Sequence, residues 1–240
     1  ETLTMADLPD NDTLVEVEYS TLNYKDALAL TGKGKIVRTW PMVPGIDFAG
    51  TVVESRNPAY APGTKVVLTG LGVGEEYWGG YSRFQLVKSE WLVPLPSGYT
   101  TRQAMMVGTA GFTGMLCVLA LERAGVTPAS GPVLVTGAAG GVGSVAVAIL
   151  SRLGYSVTAL TGDPAKEVYV KDLGASAVAN GPEWAESARP LEAQKWAGAV
   201  DTVGSKVLAR VLAEMDYNGV VAACGLAGGA DLPTTVMPFI

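Results

Sequence analysis

The sequence predicts an α/β protein in which a mostly-β region over residues 1–98 precedes an open parallel sheet over residues 99–240. Three observations predict it. Up to residue 98, short apolar stretches alternate with glycine- and proline-rich turns at close intervals, the pattern of an all-β domain. Beyond Thr100 the composition shifts, and strand-like runs alternate with helical ones, as a parallel sheet requires. Between them Val133-Leu-Val-Thr-Gly-Ala-Ala-Gly-Gly-Val-Gly143 breaks from a buried strand into a glycine cluster and reopens as a helix from about Ser144 to Leu153.

Taken in order, Thr13 to Thr21 alternates apolar and polar residues as a half-buried strand does, and Leu22-Asn-Tyr-Lys-Asp26 leads into a short helix. Those four polar-capable residues fit either a capped helix start, with Asp26 in its first turn, or a functional cluster. Trp40 to Gly45 is a rigid turn, and Asp47 to Val53 a strand whose Gly50 signals a bulge or a close neighbour. After a strand at Lys65 to Thr69, the loop Gly70 to Gly80 is either a mobile lid or a turn packing on Trp78. Tyr81 to Leu92 reads as strand, ended by Pro94 and Pro96. Thr101 to Leu121 reads as helix, with Gly108-Thr-Ala-Gly-Phe-Thr113 as a small-residue patch that something can approach. The parallel repeat continues with a strand at Ser156 to Leu160, a helix near Lys166 to Leu173 stopped by Gly174, and a strand at Ala177. A proline-bounded helix around Trp184, a strand at Gly198 to Val203, a helix from Ser205 to Met215 and a strand at Val220 to Cys224 complete it. Ligands of such sheets lie beyond the carboxyl ends of the strands, so the turns at Gly137, Thr161, Thr202 and Gly225 should line one crevice.

Composition narrows the chemistry. With 240 residues, 48% hydrophobic, the chain can bury a sizeable core. A net charge of −6 and a pI near 4.8 repel nucleic-acid backbones and anionic lipid. Apolar runs stop short of the ~20 residues of a membrane span, and no basic-then-apolar leader opens the chain, so the expectation is a cytoplasmic protein without membrane contact. Cys117 and Cys224 suit a reducing compartment, each expected as a small buried apolar residue. The absence of histidine removes the Ser-His-Asp triad, the usual general base and most zinc sites. Chemistry must then come from a cofactor, or from Tyr, Lys, Asp, Glu and backbone.

The glycine cluster suggests the cofactor. Gly137, Gly140 and Gly143 permit a sharp turn, close approach to a bound group and tight helix packing, while the unpaired N–H groups of the following helix face a pyrophosphate. The spacing G-x-x-G-x-x-G is looser than G-x-G-x-x-G, and a glycine-lined turn without a nucleotide has the same appearance.

Leu22-Asn-Tyr-Lys-Asp26, Pro44-Gly-Ile-Asp-Phe-Ala-Gly50, Trp78-Gly-Gly80, the Gly108 patch, Gly137 to Gly143, Trp196-Ala-Gly-Ala-Val-Asp201 and Ala223-Cys-Gly-Leu-Ala-Gly-Gly229 together resemble the zinc-independent medium-chain dehydrogenase/reductase family, in its acrylyl-CoA reductase and quinone oxidoreductase branch. The resemblance implies a GroES-like catalytic domain followed by a Rossmann domain, a homodimer, and a chain that in the family begins earlier and continues further. It implies cofactor contacts from Tyr24, Thr109, Ala139, Gly140, Gly141, Val142, Gly143, Thr161, Gly162, Asp163, Arg189 and Leu226, with Tyr24 beside the nicotinamide and Arg189 near the 2′-phosphate. Zinc relatives hold their metal at places that here are Asn23, Ile46 and Thr109, which cannot supply thiolate and imidazole ligands, so no metal is expected.

The expected activity is NADPH-dependent reduction of the double bond of a short enoyl thioester such as acrylyl-CoA. Asn23, Tyr24 and Lys25 are the candidate donors to the thioester oxygen, and Tyr24 or water the proton source. The alternatives are a quinone reductase and a nucleotide-binding sensor or structural protein without turnover. The cofactor signal pulls two ways. Thr161 leaves room for a 2′-phosphate, whereas Asp163 stands where the family has arginine, so NADPH is expected with looser discrimination against NADH.

Overall fold

The computed structural model describes residues 3–240. The chain divides into two compact units, Glu1–Thr109 and Ala110–Ile240.

The first unit is built on strands β1 (Thr13–Tyr19), β2 (Asp47–Ser55), β3 (Lys65–Thr69), β4 (Phe84–Val87) and β5 (Val93–Pro94), with helix α1 (Tyr24–Thr31) following β1. They form one antiparallel sheet in the order β4-β1-β2-β3-β5. Val15, Phe48, Val52, Val66, Leu68 and Val87 fill its core, drawn from the alternate positions that a pleated strand turns to one face. Gly50 sits in β2 where the register with β1 slips between Val17 and Tyr19, and a side chain there would run into the Glu16 carbonyl. The glycine marks both a bulge and a close neighbour.

In this unit the structure chooses between two alternatives and revises one expectation. The loop Gly70 to Gly80 is a fastened turn. Val73 is buried, the Tyr77 ring lies 4.7 Å from that of Trp91, and the Trp78 indole donates to the Pro41 carbonyl at 2.8 Å. Tyr81 to Leu92 is strand only over β4, because Ser89 is drawn aside by Asp12, which accepts from its N–H at 2.7 Å and its hydroxyl at 2.8 Å.

Helix α2 (Thr101–Arg123) is broken at Gly108, whose φ of 52° and ψ of −163° are non-helical. By length and composition it is long and apolar enough to cross a membrane, which corrects the expectation that every apolar run stops short. Its Cys117, Val118 and Leu121 are buried in the core of the second unit, the place of a core helix in a water-facing domain.

The second unit alternates β6 (Val133–Val135), α3 (Gly141–Arg152), β7 (Val157–Leu160), α4 (Glu167–Asp172), β8 (Ala177–Ala179), β9 (Trp196–Asp201), α5 (Ser205–Ala213) and β10 (Met215–Ala223). All strands run parallel in the order β10-β9-β6-β7-β8, so the chain reverses its winding direction between β6 and β9. This is the doubly wound Rossmann arrangement, which places ligands at that switch point. Val133 and Val135 join one core with α2, α3 and α4, while Leu134 joins another with Trp184, Trp196 and Val211; both faces are covered, as a parallel sheet needs. The expected helix around Trp184 is a single 3-10 turn over Pro182–Ala185. Gly174 does stop the helix before it, at a φ of 104°.

Candidate functional site

In the first unit the polar residues gather around Asp47, which opens β2 fully buried. A carboxylate taken out of water loses several kcal/mol of hydration and persists only where donors replace the water. Five donor groups do so. Thr21 gives its N–H at 3.2 Å and its hydroxyl at 2.6 Å. The Asn23 amide donates at 3.2 Å, and Thr109 its N–H at 2.9 Å and hydroxyl at 2.7 Å. The break at Gly108 turns the Thr109 N–H toward the carboxylate, and glycine is required there: a Cβ would stand 3.0 Å from Thr21 Cγ2 and 3.4 Å from Asp47 Oδ2.

Asp26, also buried, lies in the first turn of α1 and accepts from the N–H of Asn23 at 2.9 Å, the Asn23 amide at 3.2 Å and the N–H of Ile46 at 3.0 Å. Asn23 is therefore the N-cap of α1, and its amide N–H bonds point to Asp26, Asp47 and the Thr21 hydroxyl. A group so committed braces the turn, leaving Tyr24 and Lys25 to face outward. The Lys25 ammonium lies 2.7 Å from Glu75 and stays half-exposed. Tyr24 is 57% exposed, and its phenol makes no hydrogen bond among the described residues. Tyr81 donates to the Thr21 carbonyl at 2.9 Å. Burial, with the carboxylates of Asp26 and Asp47, pushes its pKa well above the usual tyrosine range, so that phenol holds its proton.

The places of the zinc relatives' ligands thus carry an amide turned to two carboxylates, the aliphatic chain of Ile46, and a hydroxyl donated to Asp47. Among the described residues no three His, Cys, Asp or Glu side chains come together in a way that could hold a metal ion.

In the second unit the glycine cluster forms a turn closed by its own backbone. At Gly137, φ 57°, a Cβ would collide with the Thr202 hydroxyl, and at Gly143 with the Gly137 carbonyl. Gly140 is the N-cap of α3, with no side chain to satisfy the first N–H groups, and Ser144 is the first residue to bond back, to the Gly140 carbonyl at 2.9 Å. Gly140 and Gly141 are exposed. The N–H groups of Gly141 and Val142, at the positive end of a 12-residue helix, are therefore open to an anion, and the cradle fits the diphosphate of a dinucleotide. Ala139, half-buried, precedes them in the turn.

The surrounding turns are joined to the glycine turn by hydrogen bonds and close packing. Asp201, fully buried at the end of β9, accepts from the Thr136 hydroxyl at 2.7 Å and the Gly204 N–H at 2.8 Å. Thr136 Oγ1 accepts the Thr202 N–H at 3.0 Å, and the Thr202 hydroxyl donates to the Thr136 carbonyl at 2.9 Å. Burial raises the Asp201 pKa, opposed by the hydrogen bonds from Thr136, Gly204 and Val203. Gly225 packs without a side chain on the Thr202 carbonyl, and Ala138 N–H bonds the Leu160 carbonyl at 3.0 Å, bringing in the turns after β10 and β7. Leu226 is half-exposed beyond Gly225.

At the end of β7, Thr161 is buried and Gly162 has open space where a side chain would be. Asp163 turns its carboxylate to the Ala165 N–H at 3.0 Å, capping the 3-10 turn Pro164–Lys166. Arg189 is exposed and paired with Glu192, Nε at 3.0 Å. Cys224, expected buried, is exposed where β10 empties into its loop, with its thiol donating to the Asp201 carbonyl at 3.4 Å, and Cys117 is buried as expected. The sequence analysis placed Asp26 in the first turn of a helix but did not single out Asp47 and Asp201 as hubs; the available signal was an acidic residue at the start of β2 and at the end of β9, each beside apolar positions.

Residues 9–97 match the family model described as an alcohol dehydrogenase GroES-like domain, and residues 141–240 the one described as a zinc-binding dehydrogenase. The chain is 61% identical, over its whole length and 74% of the relative's, to a protein of Escherichia coli named probable acrylyl-CoA reductase. It is 59% identical, over 99% of its length and 72% of the relative's, to the acrylyl-CoA reductase of Ruegeria pomeroyi. A crystal structure of Escherichia coli YhdH with bound NADPH superposes with a TM-score of 0.97 at 61% identity, covering 100% of this chain and 74% of that one. One of Bacillus subtilis YhfP with bound NAD gives 0.93 at 46%, covering 100% and 73%.

Two results are expected. Gly140→Asp should abolish NADPH binding, by bulk and by charge repulsion at the open N–H groups, in a protein that still folds; fluorescence titration of NADPH checks it. Exhaustive chelation should leave turnover intact, whereas stoichiometric zinc lost together with activity would contradict the donor set described above.

Proposed function

The chain belongs to the medium-chain dehydrogenase/reductase family, and from that premise we propose that it reduces the carbon–carbon double bond of a short enoyl-CoA, such as acrylyl-CoA, with NADPH. The observation that carries this reading is 61% identity over the entire chain with a protein named probable acrylyl-CoA reductase.

When bound, NADPH supplies the hydride that reduces the β-carbon. The N–H groups at the start of α3 hold the diphosphate, and the turn Thr161-Gly162 leaves space for the ribose phosphate. Reduction at the β-carbon drives negative charge onto the thioester oxygen, so the transition state gains from donors placed there in advance. Tyr24 and Lys25 are those donors in this reading, with Asn23 bracing the turn that presents them. The α-carbon takes its proton from the Tyr24 phenol or from water. Thr109, in the Asp47 cluster, and Leu226, beyond β10, are cofactor contacts by resemblance. A homodimer also rests on resemblance, and a cytoplasmic location on the two reduced cysteines; the net charge of −6 disfavours nucleic acid.

The direct test is loss of reduced-nicotinamide absorbance with acrylyl-CoA against a benzoquinone. Turnover of the thioester is expected; turnover of the quinone alone would mark a quinone reductase, and binding of NADPH without turnover a sensor. Tyr24→Phe should lower kcat by about 10²–10⁴-fold, the usual contribution of a positioned acid, while leaving NADPH affinity in place. Replacing Asp163 by arginine exchanges a local cap for a charge-assisted bond to phosphate, worth roughly 1.5–3 kcal/mol, so NADPH should bind about 10- to 100-fold tighter and NADH almost unchanged. Steady-state constants for both cofactors check this, and a parent with strong NADH preference would contradict it.

A further inference from the structure

We propose that Asp47 is the positioning residue of the reaction, its buried carboxylate clamping the end of β1, the start of α1 and the break in α2 so that Tyr24 is presented in one orientation. This deepens the reductase reading and rests on it for the role of Tyr24. Three segments distant in sequence converge on the two carboxylate oxygens: Thr21, two residues beyond β1, the N-cap Asn23, and Thr109 immediately after the break. Each is held by a hydrogen bond to a charged group without access to water, the strongest kind available to neutral donors. Tyr24 is the first residue of α1, directly after that N-cap, and its phenol makes no hydrogen bond among the described residues. Its direction is therefore set by the cap, and the cap by Asp47 together with Asp26. Asp26 belongs to the helix that carries Tyr24 and ties it to Ile46, while Asp47 ties the N-cap of that helix to Thr21 and Thr109.

Asp47→Asn keeps the shape but turns an amide N–H₂, or a weaker neutral acceptor, toward Thr21 and Thr109, both of which only donate to it in the native arrangement. Assayed beside the wild type with NADPH and acrylyl-CoA, this variant should have a kcat lower by about 10²-fold, the scale of a small misplacement at a reacting centre, with NADPH affinity unchanged. Tyr24→Phe should cost less kcat in the Asp47→Asn background than in the wild type, because the two act as one unit. A general loss of stability would instead make the two effects multiply. Thr21→Val removes one hydroxyl donor at nearly constant shape, and should show the same non-additivity with a smaller loss if Asp47→Asn does not fold. Faster hydrogen exchange at the Thr21 and Thr109 amides in either variant reads the clamp independently of turnover. Unchanged kcat in folded Asp47→Asn, or multiplicative effects with Tyr24→Phe, would overturn the proposal. A wild-type protein that does not reduce acrylyl-CoA overturns the reductase reading itself, a result distinct from an active wild type with an equally active variant.

Discussion

A carboxylate shut away from water has to be met by hydrogen-bond donors, and in the first unit that requirement decides where three stretches of chain go. Asp47 is fully buried, and the donors come from Thr21, Asn23 and Thr109. Burying such a group is worth its desolvation only if every lone pair is answered, so the segments cannot drift independently. The break at Gly108 follows from the same demand, since an unbroken α2 would not aim the Thr109 N–H at the carboxylate. What remains on the outside is the Tyr24 phenol and the Lys25 ammonium, a small pair of donors on a rigid mount.

The second unit repeats the logic with another acid. Asp201 holds the end of β6 through Thr136 and the turn after β9 through Gly204, which fixes the glycine turn between β6 and α3. Among the described residues, the N–H groups of Gly141 and Val142 at the start of α3 have no backbone partner. In both units the buried acids consume the donors that shape the loops, and the donors left over are the ones that a diphosphate or a thioester oxygen would meet.

How much of this could be read from residues alone depended on sequence distance. The glycine turn, its strand and its helix lie within about twenty residues, and the alternation of β6 to β10 follows from local periodicity, so both were legible. Asp47 meets Thr109 across 62 positions and Asp201 meets Thr136 across 65, and neither pairing leaves a local trace. The misread strand at Tyr81 to Leu92 has the same origin, because Asp12 reaches Ser89 across 77 positions and bends a segment whose own composition favours extension. Cys224 looked like a small buried residue by type, and only the placement of the β10 terminus exposes it. Asn23 was legible as a polar candidate at a capped helix start, with Asp26 three residues on, but not as a brace to β2, since Asp47 becomes its neighbour only when β2 lies beside β1.

In the proposed reaction the chain delivers a hydride from NADPH to the β-carbon of an enoyl thioester, with the α-carbon protonated separately. The most direct measurement is the reduction of acrylyl-CoA with NADPH deuterated at the transferring position, followed by mass spectrometry and proton NMR of the product. The account predicts one deuterium at the β-carbon, and one solvent deuterium at the α-carbon when the label is moved to the water. Deuterium from the cofactor at the α-carbon, or its absence from the product, would contradict it.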